Sequence, residues 1–212
     1  IKSWEKMCPD YEIKQWNESN FDISDNTFAR VAYENKAWAF VSDYARLKIV
    51  FDYGGIYLDT DVELLKSLDH LLDNKCYIGI QQAQSLCQTG LGFGAEKNSY
   101  IVEKMLEKYS NIEFDVNKKL ELACPILNSE AISSIGTWNI DNVNYWDEIT
   151  IYPSKYFDPY GGKNLLCKDT ISIHHYSASW TSGRQRFKRR LARLIGTGNV
   201  TNIKSKLKNL SN

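Results

Sequence analysis

The sequence contains no Cys-x-x-Cys pair. Its cysteines are odd in number and scattered along the chain, at Cys8, Cys76, Cys87, Cys124 and Cys167. This pattern excludes the disulfide framework of a small secreted domain, and it offers no zinc-ligand spacing. We therefore expect a reduced, cytoplasmic compartment.

Long apolar runs are absent as well. No uninterrupted run reaches the roughly 18 residues that a membrane-spanning helix needs, and no signal peptide is visible after Ile1. At 212 residues with 43% hydrophobic content, the chain is large and apolar enough to bury one core. We therefore expect an ordered globular domain rather than a disordered chain.

Acidic residues stop at Asp169. Nine of the 26 basic residues follow it, so the preceding part of the chain carries 26 acidic residues against the other 17 basic ones. The net charge of zero therefore hides an acidic body and a basic tail. The basic residues of the tail are Arg184, Arg186, Lys188, Arg189, Arg190, Arg193, Lys204, Lys206 and Lys208.

The stretch from Gly54 to Val62, GGIYLDTDV, combines two glycines, a short apolar run and two carboxylates separated by one residue. It predicts a sharp turn, a short buried strand and an acidic pair, Asp59 and Asp61, at the exit of the strand. In an extended strand their Cα atoms would lie about 6.6 Å apart on one face. Such carboxylates suit Mg²⁺ or Mn²⁺, although an Asp-x-Asp triplet taken alone is more often a solvated turn.

The segment from 37 to 53 has apolar residues at near-helical spacing and is followed by Gly54 at the position of a C-cap. Asp43 and Arg46 are three residues apart and so share one face of this predicted helix. On an exposed face such a pair is worth under about 1 kcal/mol. Buried in a mostly apolar helix, the two charges would need each other or a polar ligand.

The remaining patterns alternate between helix and strand, which predicts an α/β fold in one domain. The glycines of the segment from Gly90 to Ala95 indicate a close approach of the backbone to another group. Further helices are predicted up to Cys8 and over 25–36, 99–109 and 128–135, and further strands over 11–16, 76–82, 90–95, 149–152 and 171–176.

Three segments together carry a resemblance to a known family. The helix motif AWAFVSDYARL (37–47), followed by the Gly-Gly turn and the acidic triplet (54–62), resembles the sugar-binding signature of the family 32 glycosyltransferases, which contain a DXD motif. The segment 3–13 is similar to that family's opening helix and second strand, and 174–180 to its closing His/Ser/Trp segment. The signature is also similar, more distantly, to the core of the large bacterial glucosylating toxins.

The resemblance implies a GT-A-like fold, with a Rossmann-type mixed central sheet flanked by helices, whose first strand is missing from this chain. It implies a catalytic domain over 1–181 and a basic helical tail over 182–212. The implied activity is metal-dependent transfer of a hexose, with retention, from a UDP- or GDP-sugar to a saccharide or lipid-linked acceptor. Synthesis of capsule, lipopolysaccharide or another surface polysaccharide is the implied setting.

The resemblance also implies a role for each matching residue. Asp61 would bind Mn²⁺ or Mg²⁺ directly, Asp59 would hold donor hydroxyls with partial access to the ion, and His175 would be a further metal ligand or phosphate contact. Because adjacent residues of a strand point to opposite faces, one of His174 and His175 is expected to be structural, and His175 is the one favoured for the site. The residues implied to hold the donor sugar and diphosphate are Ser42, Asp43, Arg46, Tyr57, Ser179 and Trp180.

The segment from Arg184 to Ile195 predicts a basic amphipathic helix, which could lie on an anionic membrane at the inner face or pack on the acidic body. No nucleic-acid-reading motif accompanies this charge. Two other functions stay open: a non-catalytic glycan- or membrane-binding module with a decayed donor site, and a phosphohydrolase with Asp59 as nucleophile. Glu63, two residues after Asp61, does not fit the phosphohydrolase pattern.

Overall fold

A computed structural model describes residues 1–176 of the chain. Ser179, Trp180, the predicted domain boundary at 181 and the basic tail lie outside the described residues. The helices are α1 (Lys2–Met7), α2 (Thr27–Glu34), α3 (Trp38–Tyr53), α4 (Tyr100–Ser110), α5 (Cys124–Ser133) and α6 (Ser154–Phe157). The strands are β1 (Gly55–Tyr57), β2 (Val62–Leu64), β3 (Cys76–Ile80), β4 (Cys87–Ala95), β5 (Asn144–Tyr145), β6 (Thr150–Tyr152) and β7 (Ser172–His174).

The central sheet has five strands in the order β1-β4-β3-β6-β5. Strands β3 and β6 are parallel and the other neighbours are antiparallel, so the sheet is mixed. A second, antiparallel sheet consists of β2 and β7. The prediction of an α/β fold with a mixed central sheet and flanking helices is confirmed.

The two faces of the central sheet bury different cores, as the alternation of a strand requires. Along β3, Cys76 and Ile78 belong to the core formed with α2, α3, α4 and α5. Tyr77, between them, belongs to the core on the opposite face, with Phe157 of α6 and Leu64 of β2. The larger of these cores thus supports α3 against the sheet.

Helix α3 begins and ends where the sequence predicts. Gly54 is its C-cap residue at φ +71°, a conformation that favours glycine, and its N–H donates to the carbonyl of Val50. Because α3 stops there, β1 can start at Gly55 and pair with β4. The predicted helix, Gly-Gly turn and strand are confirmed in this order, but β1 is only partly buried and not the buried strand that the sequence predicted.

Two predicted elements are corrected. Segment 11–16 forms no strand, because its backbone pairs with none of the strands described, and Ile13 is exposed. Helix α5 starts at Cys124, four residues before the predicted start at 128, since Pro125 lies in its first turn, where a missing N–H costs no helical hydrogen bond. The N-cap of α2 is Asn26 rather than Asp25, and its side chain accepts from the N–H of Ala29.

None of the helices within residues 1–176 is long and apolar enough to cross a membrane.

The core behind α3 is centred on Phe28, which is fully buried and packs edge-on against Phe40, Tyr109 and Phe114 at ring separations of 6.4, 5.0 and 5.6 Å. We expect Phe28→Ala to lower the free energy of unfolding by about 3–5 kcal/mol, because it leaves a cavity between helices α2, α3 and α4. Leu120→Ala is the matched control, since Leu120 is 87% exposed and its change should stay within about 0.5 kcal/mol. Urea titrations of both variants test this, and equal losses would contradict the packing described.

Candidate active site

The acidic triplet lies in a tight turn between the two sheets. After β1, the N–H of Val62 donates to the carbonyl of Asp59 at 2.9 Å, and β2 begins at Val62. The predicted position at the exit of a strand is confirmed, but Asp59 and Asp61 are not part of an extended strand. The turn brings both carboxylates to one imidazole: His174 Nε2 lies 3.4 Å from Asp59 Oδ2 and 3.2 Å from Asp61 Oδ1.

His174, rather than His175, faces these carboxylates. In the antiparallel pair of β2 and β7, His174 lies opposite Val62 and is 6% exposed. His175 points away, and its Nε2 lies 2.8 Å from Glu63 Oε2 on an exposed surface. The geometry thus replaces His175 by His174 in the predicted ligand set.

Arg46 connects α3 to the acidic turn. Its Nη2 lies 3.0 Å from Asp43 Oδ1 and 3.4 Å from Asp59 Oδ1, and its side chain is 5% exposed. Nε donates to the carbonyl of Ser42 at 3.1 Å and Nη2 to the Ser42 hydroxyl at 3.2 Å. The guanidinium also lies over the ring of Tyr57, with Cζ 4.7 Å from the centroid. Residues predicted on a helix and at the end of a strand therefore contact one guanidinium, that of Arg46.

Tyr57 completes this cluster. Its hydroxyl donates to Asp59 Oδ1 at 2.8 Å, so the carboxylate of Asp59 contacts Tyr57, Arg46 and His174 at once. Burial alone raises the pKa of Asp59, but Arg46, His174 and Tyr57 together outweigh it and hold that pKa below its ordinary value. Asp59 is therefore ionised at neutral pH.

The side chain of Asp43 is more deeply buried than that of Asp59, at 13% against 25% exposure. Burial raises its pKa to about 6, while Arg46 acts in the opposite direction and the negative charge of Asp59 adds to the rise. Hydrogen bonds to an ionised carboxylate are about twice as strong as those between neutral groups. Asp43 can thus bind a hydroxyl group that reaches it from the solvent side of the site.

Strand β4 contains a bulge beside the cluster, where its pairing register with β3 shifts. Ile78 pairs with Phe93 but the next residue, Gly79, pairs with Gln88, so Thr89 to Gly92 are out of the ladder with β3. Within this bulge, a Cβ on Gly90 would lie 2.5 Å from Asp59 Oδ2 and 2.9 Å from Arg46 Nη1. A side chain at position 90 would therefore displace these two groups, and the close approach predicted for this segment is to the two charged side chains of the site.

The donor atoms fit a divalent cation. One oxygen each from Asp59 and Asp61 and one nitrogen from His174 lie within 4.8 Å of one another. An octahedral ion with bonds of about 2.1 Å keeps its ligand atoms about 3.0–4.2 Å apart. Carboxylate oxygens and an imidazole nitrogen are ligand types that divalent cations bind in proteins.

Most of the predicted site is thus assembled in one place: Ser42, Asp43, Arg46, Tyr57, Asp59 and Asp61. His175 is not among them, and Ser179 and Trp180 lie outside the described residues. The sequence reasoning did not place His174 beside the carboxylates, because alternation in a His-His pair does not say which ring faces inward. The register of β7 against β2 decides it.

One comparison with known proteins covers the part of this site that lies within residues 1–78. Residues 1–78 match the model of the glycosyltransferase sugar-binding region containing the DXD motif. A curated relative, inositol phosphoceramide mannosyltransferase 3 of Schizosaccharomyces pombe, is 29% identical over 96 residues, which cover 43% of this chain and 27% of that protein. The structure titled PaToxG Glycosyltransferase aligns with 50% of this chain and 38% of that one, at 23% identity and a TM-score of 0.41.

Residues 1–78 are therefore similar to the sugar-binding region of the DXD-containing glycosyltransferases. The match runs from α1 through the acidic turn and β2 to the start of β3. The chain spans only about a quarter of the length of the curated mannosyltransferase that it matches.

The ligand set is tested by metal binding. We expect His174→Ala to weaken Mn²⁺ binding at least about tenfold, because it removes one of three ligands. His175→Ala is the matched control and should change the affinity less than about twofold, because His175 faces Glu63. Calorimetric titration with Mn²⁺ measures both, with thermal melts to confirm folding. An equal loss in the two variants, or a loss in His175→Ala alone, would return the ligand role to His175.

Proposed function

We propose that this chain is a metal-dependent hexosyltransferase that moves a sugar from a nucleotide-diphosphate donor to a saccharide or lipid-linked acceptor. The observation that carries the proposal is the convergence of Asp43 and Arg46 from α3 with Asp59, Asp61 and His174 in one cluster of contacting side chains. An isolated acidic turn binds ions without selecting a sugar. A buried cation beside two oriented carboxylates adds groups that hold hydroxyls and a diphosphate.

Each part of the site has a separate task. A divalent cation held by Asp59, Asp61 and His174 would neutralise charge on the departing nucleoside diphosphate. Arg46 presents a further positive charge, and its lack of solvent strengthens its attraction, since two unit charges at 4 Å gain about 1 kcal/mol in water and about 4 kcal/mol at an effective dielectric of 20. Asp43 orients the sugar through its hydroxyls.

A groove next to α3 suits the nucleoside of the donor. It holds about 800 Å³ and reaches the site at Ser42, whose hydroxyl contacts Arg46. Aromatic rings line it, including Trp16, Tyr33 and Trp38, and Trp38 is 49% exposed. Exposed aromatic faces stack on a base, and the position beside Arg46 leaves the diphosphate at the cation.

We further propose retention of configuration, on the resemblance and on the state of the carboxylates. Asp43 and Asp59 both pair with Arg46, and Asp59 and Asp61 both face His174, so none is poised as a second nucleophile. Departure and attack on the same face of the sugar fit this arrangement, with the diphosphate helping to deprotonate the acceptor.

The acceptor class is proposed from two observations. The curated relative is named for transfer of mannose to inositol phosphoceramide, which supports a lipid-linked acceptor. The basic segment from Arg184 to Arg193 would hold a cytoplasmic enzyme at an anionic membrane, at about 1 kcal/mol for each basic residue near the lipid. Surface polysaccharide synthesis is one setting that combines a lipid-linked acceptor with an enzyme held at the membrane.

The activity is tested by nucleotide release from a panel of UDP- and GDP-sugars, with Mn²⁺ or with EDTA. We expect turnover to require the ion and to fall at least about a hundredfold in Asp61→Asn, which keeps the shape but loses the charge of a ligand. Asp73→Asn, an exposed change outside the site, is the control and should retain activity. Equal activity in EDTA, or release of phosphate from simple phosphoesters, would reject the transferase.

Membrane association is tested with vesicles containing phosphatidylserine. We expect the full chain to co-sediment with them at low salt and to be released at high salt, because the attraction is screened. Replacing Arg186, Lys188, Arg189, Arg190 and Arg193 by glutamine should abolish binding, and neutral vesicles serve as control. Binding that ignores both salt and these substitutions would contradict an electrostatic anchor.

A further inference from the structure

The short strand β2, which directly follows the acidic turn, has a strand neighbour on one edge only. Its partner is β7, in a sheet of two strands. The second edge of such a strand presents a row of backbone N–H and C=O groups, and folded proteins cover these edges with helices or loops. The support of β2 on its second edge therefore has to come from outside the sheet.

The backbone hydrogen bonds of β2 show which residues face this second edge. Successive residues of a strand direct their backbone groups to opposite edges. The carbonyl of Asp61 faces β7, because it accepts from the N–H of His175 at 3.0 Å. Val62 and Leu64 therefore direct their backbone groups to the other edge, and both residues are buried. Buried backbone groups are costly when they are unpaired, so this edge needs hydrogen-bond partners from the protein.

Helix α1 supplies these partners through two side chains. Trp4 Nε1 donates to the carbonyl of Val62 at 2.8 Å, and the hydroxyl oxygen of Ser3 accepts from the N–H of Leu64 at 3.1 Å. The indole of Trp4 also packs against the core that contains both of these strand residues. Two neighbouring side chains of one helix thus make the hydrogen bonds that a third strand would make.

The carbonyl that Trp4 holds belongs to the residue next to Asp61. The N–H of that residue, Val62, donates to the carbonyl of Asp59 at 2.9 Å and closes the acidic turn. Val62 is therefore bonded to the turn through its N–H and to α1 through its carbonyl. On the opposite edge, the N–H of His175 holds the carbonyl of Asp61. The backbone that carries both carboxylates is thus fixed between α1 and β7.

We propose that Trp4 is a positioning residue for the metal site. Its indole N–H, with Ser3 as a second contact, fixes the acidic turn so that Asp59 and Asp61 face His174. This inference rests on the proposed metal-dependent function. It adds to that function a helix outside the cluster on which the geometry of the ligands depends.

The variant Trp4→Phe separates positioning from packing. It keeps an aromatic ring against the core but removes the N–H, so the buried carbonyl of Val62 loses its donor. If Trp4 only packs, the variant loses stability while the folded protein keeps its affinity for the metal. If Trp4 positions the acidic turn, the affinity of the folded protein falls as well.

The experiment is a calorimetric titration of the full chain with Mn²⁺, at a temperature where thermal melts show every variant to be folded. We expect Trp4→Phe to weaken Mn²⁺ binding about fivefold, which is less than the loss of a group bonded directly to a ligand, because Trp4 acts through the backbone. Ser3→Ala should also weaken it, and Ser3→Thr, which keeps a hydroxyl, should recover most of the loss. Trp138→Phe is the matched control and should keep its affinity, since Trp138 is half-buried and packs against the other core. Equal affinities in Trp4→Phe and the wild type overturn the proposal.

Hydrogen exchange measured without added metal tests the same support independently of turnover. Trp4→Phe should speed exchange of the N–H groups of Val62 and Leu64, because local opening of the acidic turn and β2 becomes easier. The N–H groups of α4, which packs in the other core, should exchange as in the wild type. Unchanged exchange at Val62 and Leu64 overturns the proposal, whether or not the chain transfers sugar. Weakened Mn²⁺ binding in Trp4→Phe, together with no turnover in the wild type, supports this inference and overturns only the proposed function.

Discussion

The site depends on Arg46, a buried guanidinium between two carboxylates of different origin. Asp43 belongs to its own helix, while Asp59 belongs to the turn after β1. A buried charge of this kind is strongly destabilising when it is unpaired, so the arginine holds the helix and the turn together only while both carboxylates are present. Burial lowers the pKa of Arg46, but Asp59, Tyr57 and Asp43 raise it well above its ordinary value.

The surrounding fold is arranged to keep these charges in place. The aromatic core around Phe28 fixes α3 against α2 and α4, and Gly54 turns the chain directly from α3 into β1. The strand beside β1 then leaves register so that Gly90, with no side chain, can lie against Asp59 and Arg46. The aromatic core, the end of α3 at Gly54 and the bulge of β4 therefore all help to position the ion-pair cluster of Arg46.

The sequence was sufficient for the parts of the site that lie close together along the chain. Helical spacing predicted that Asp43 and Arg46 share one face of α3. The Gly-Gly turn predicted a sharp change of direction between that helix and the strand that precedes Asp59 and Asp61. The choice between His174 and His175 depended instead on pairing between strands that are far apart in sequence. Alternation also predicted a strand over 11–16, but a strand needs a neighbour and the described sheets offer none.

The acidic turn also joins the two sheets of the molecule. Asp59 follows a strand of the central sheet, whereas His174 lies on β7 of the two-stranded sheet, so an ion bound by both would act as a cross-link between them. Binding to the folded chain alone adds its free energy to that of folding. The stability of the contact between the two sheets would then rise with the concentration of free cation in the cell. The position of Tyr176, two residues after β7, would depend on the same contact.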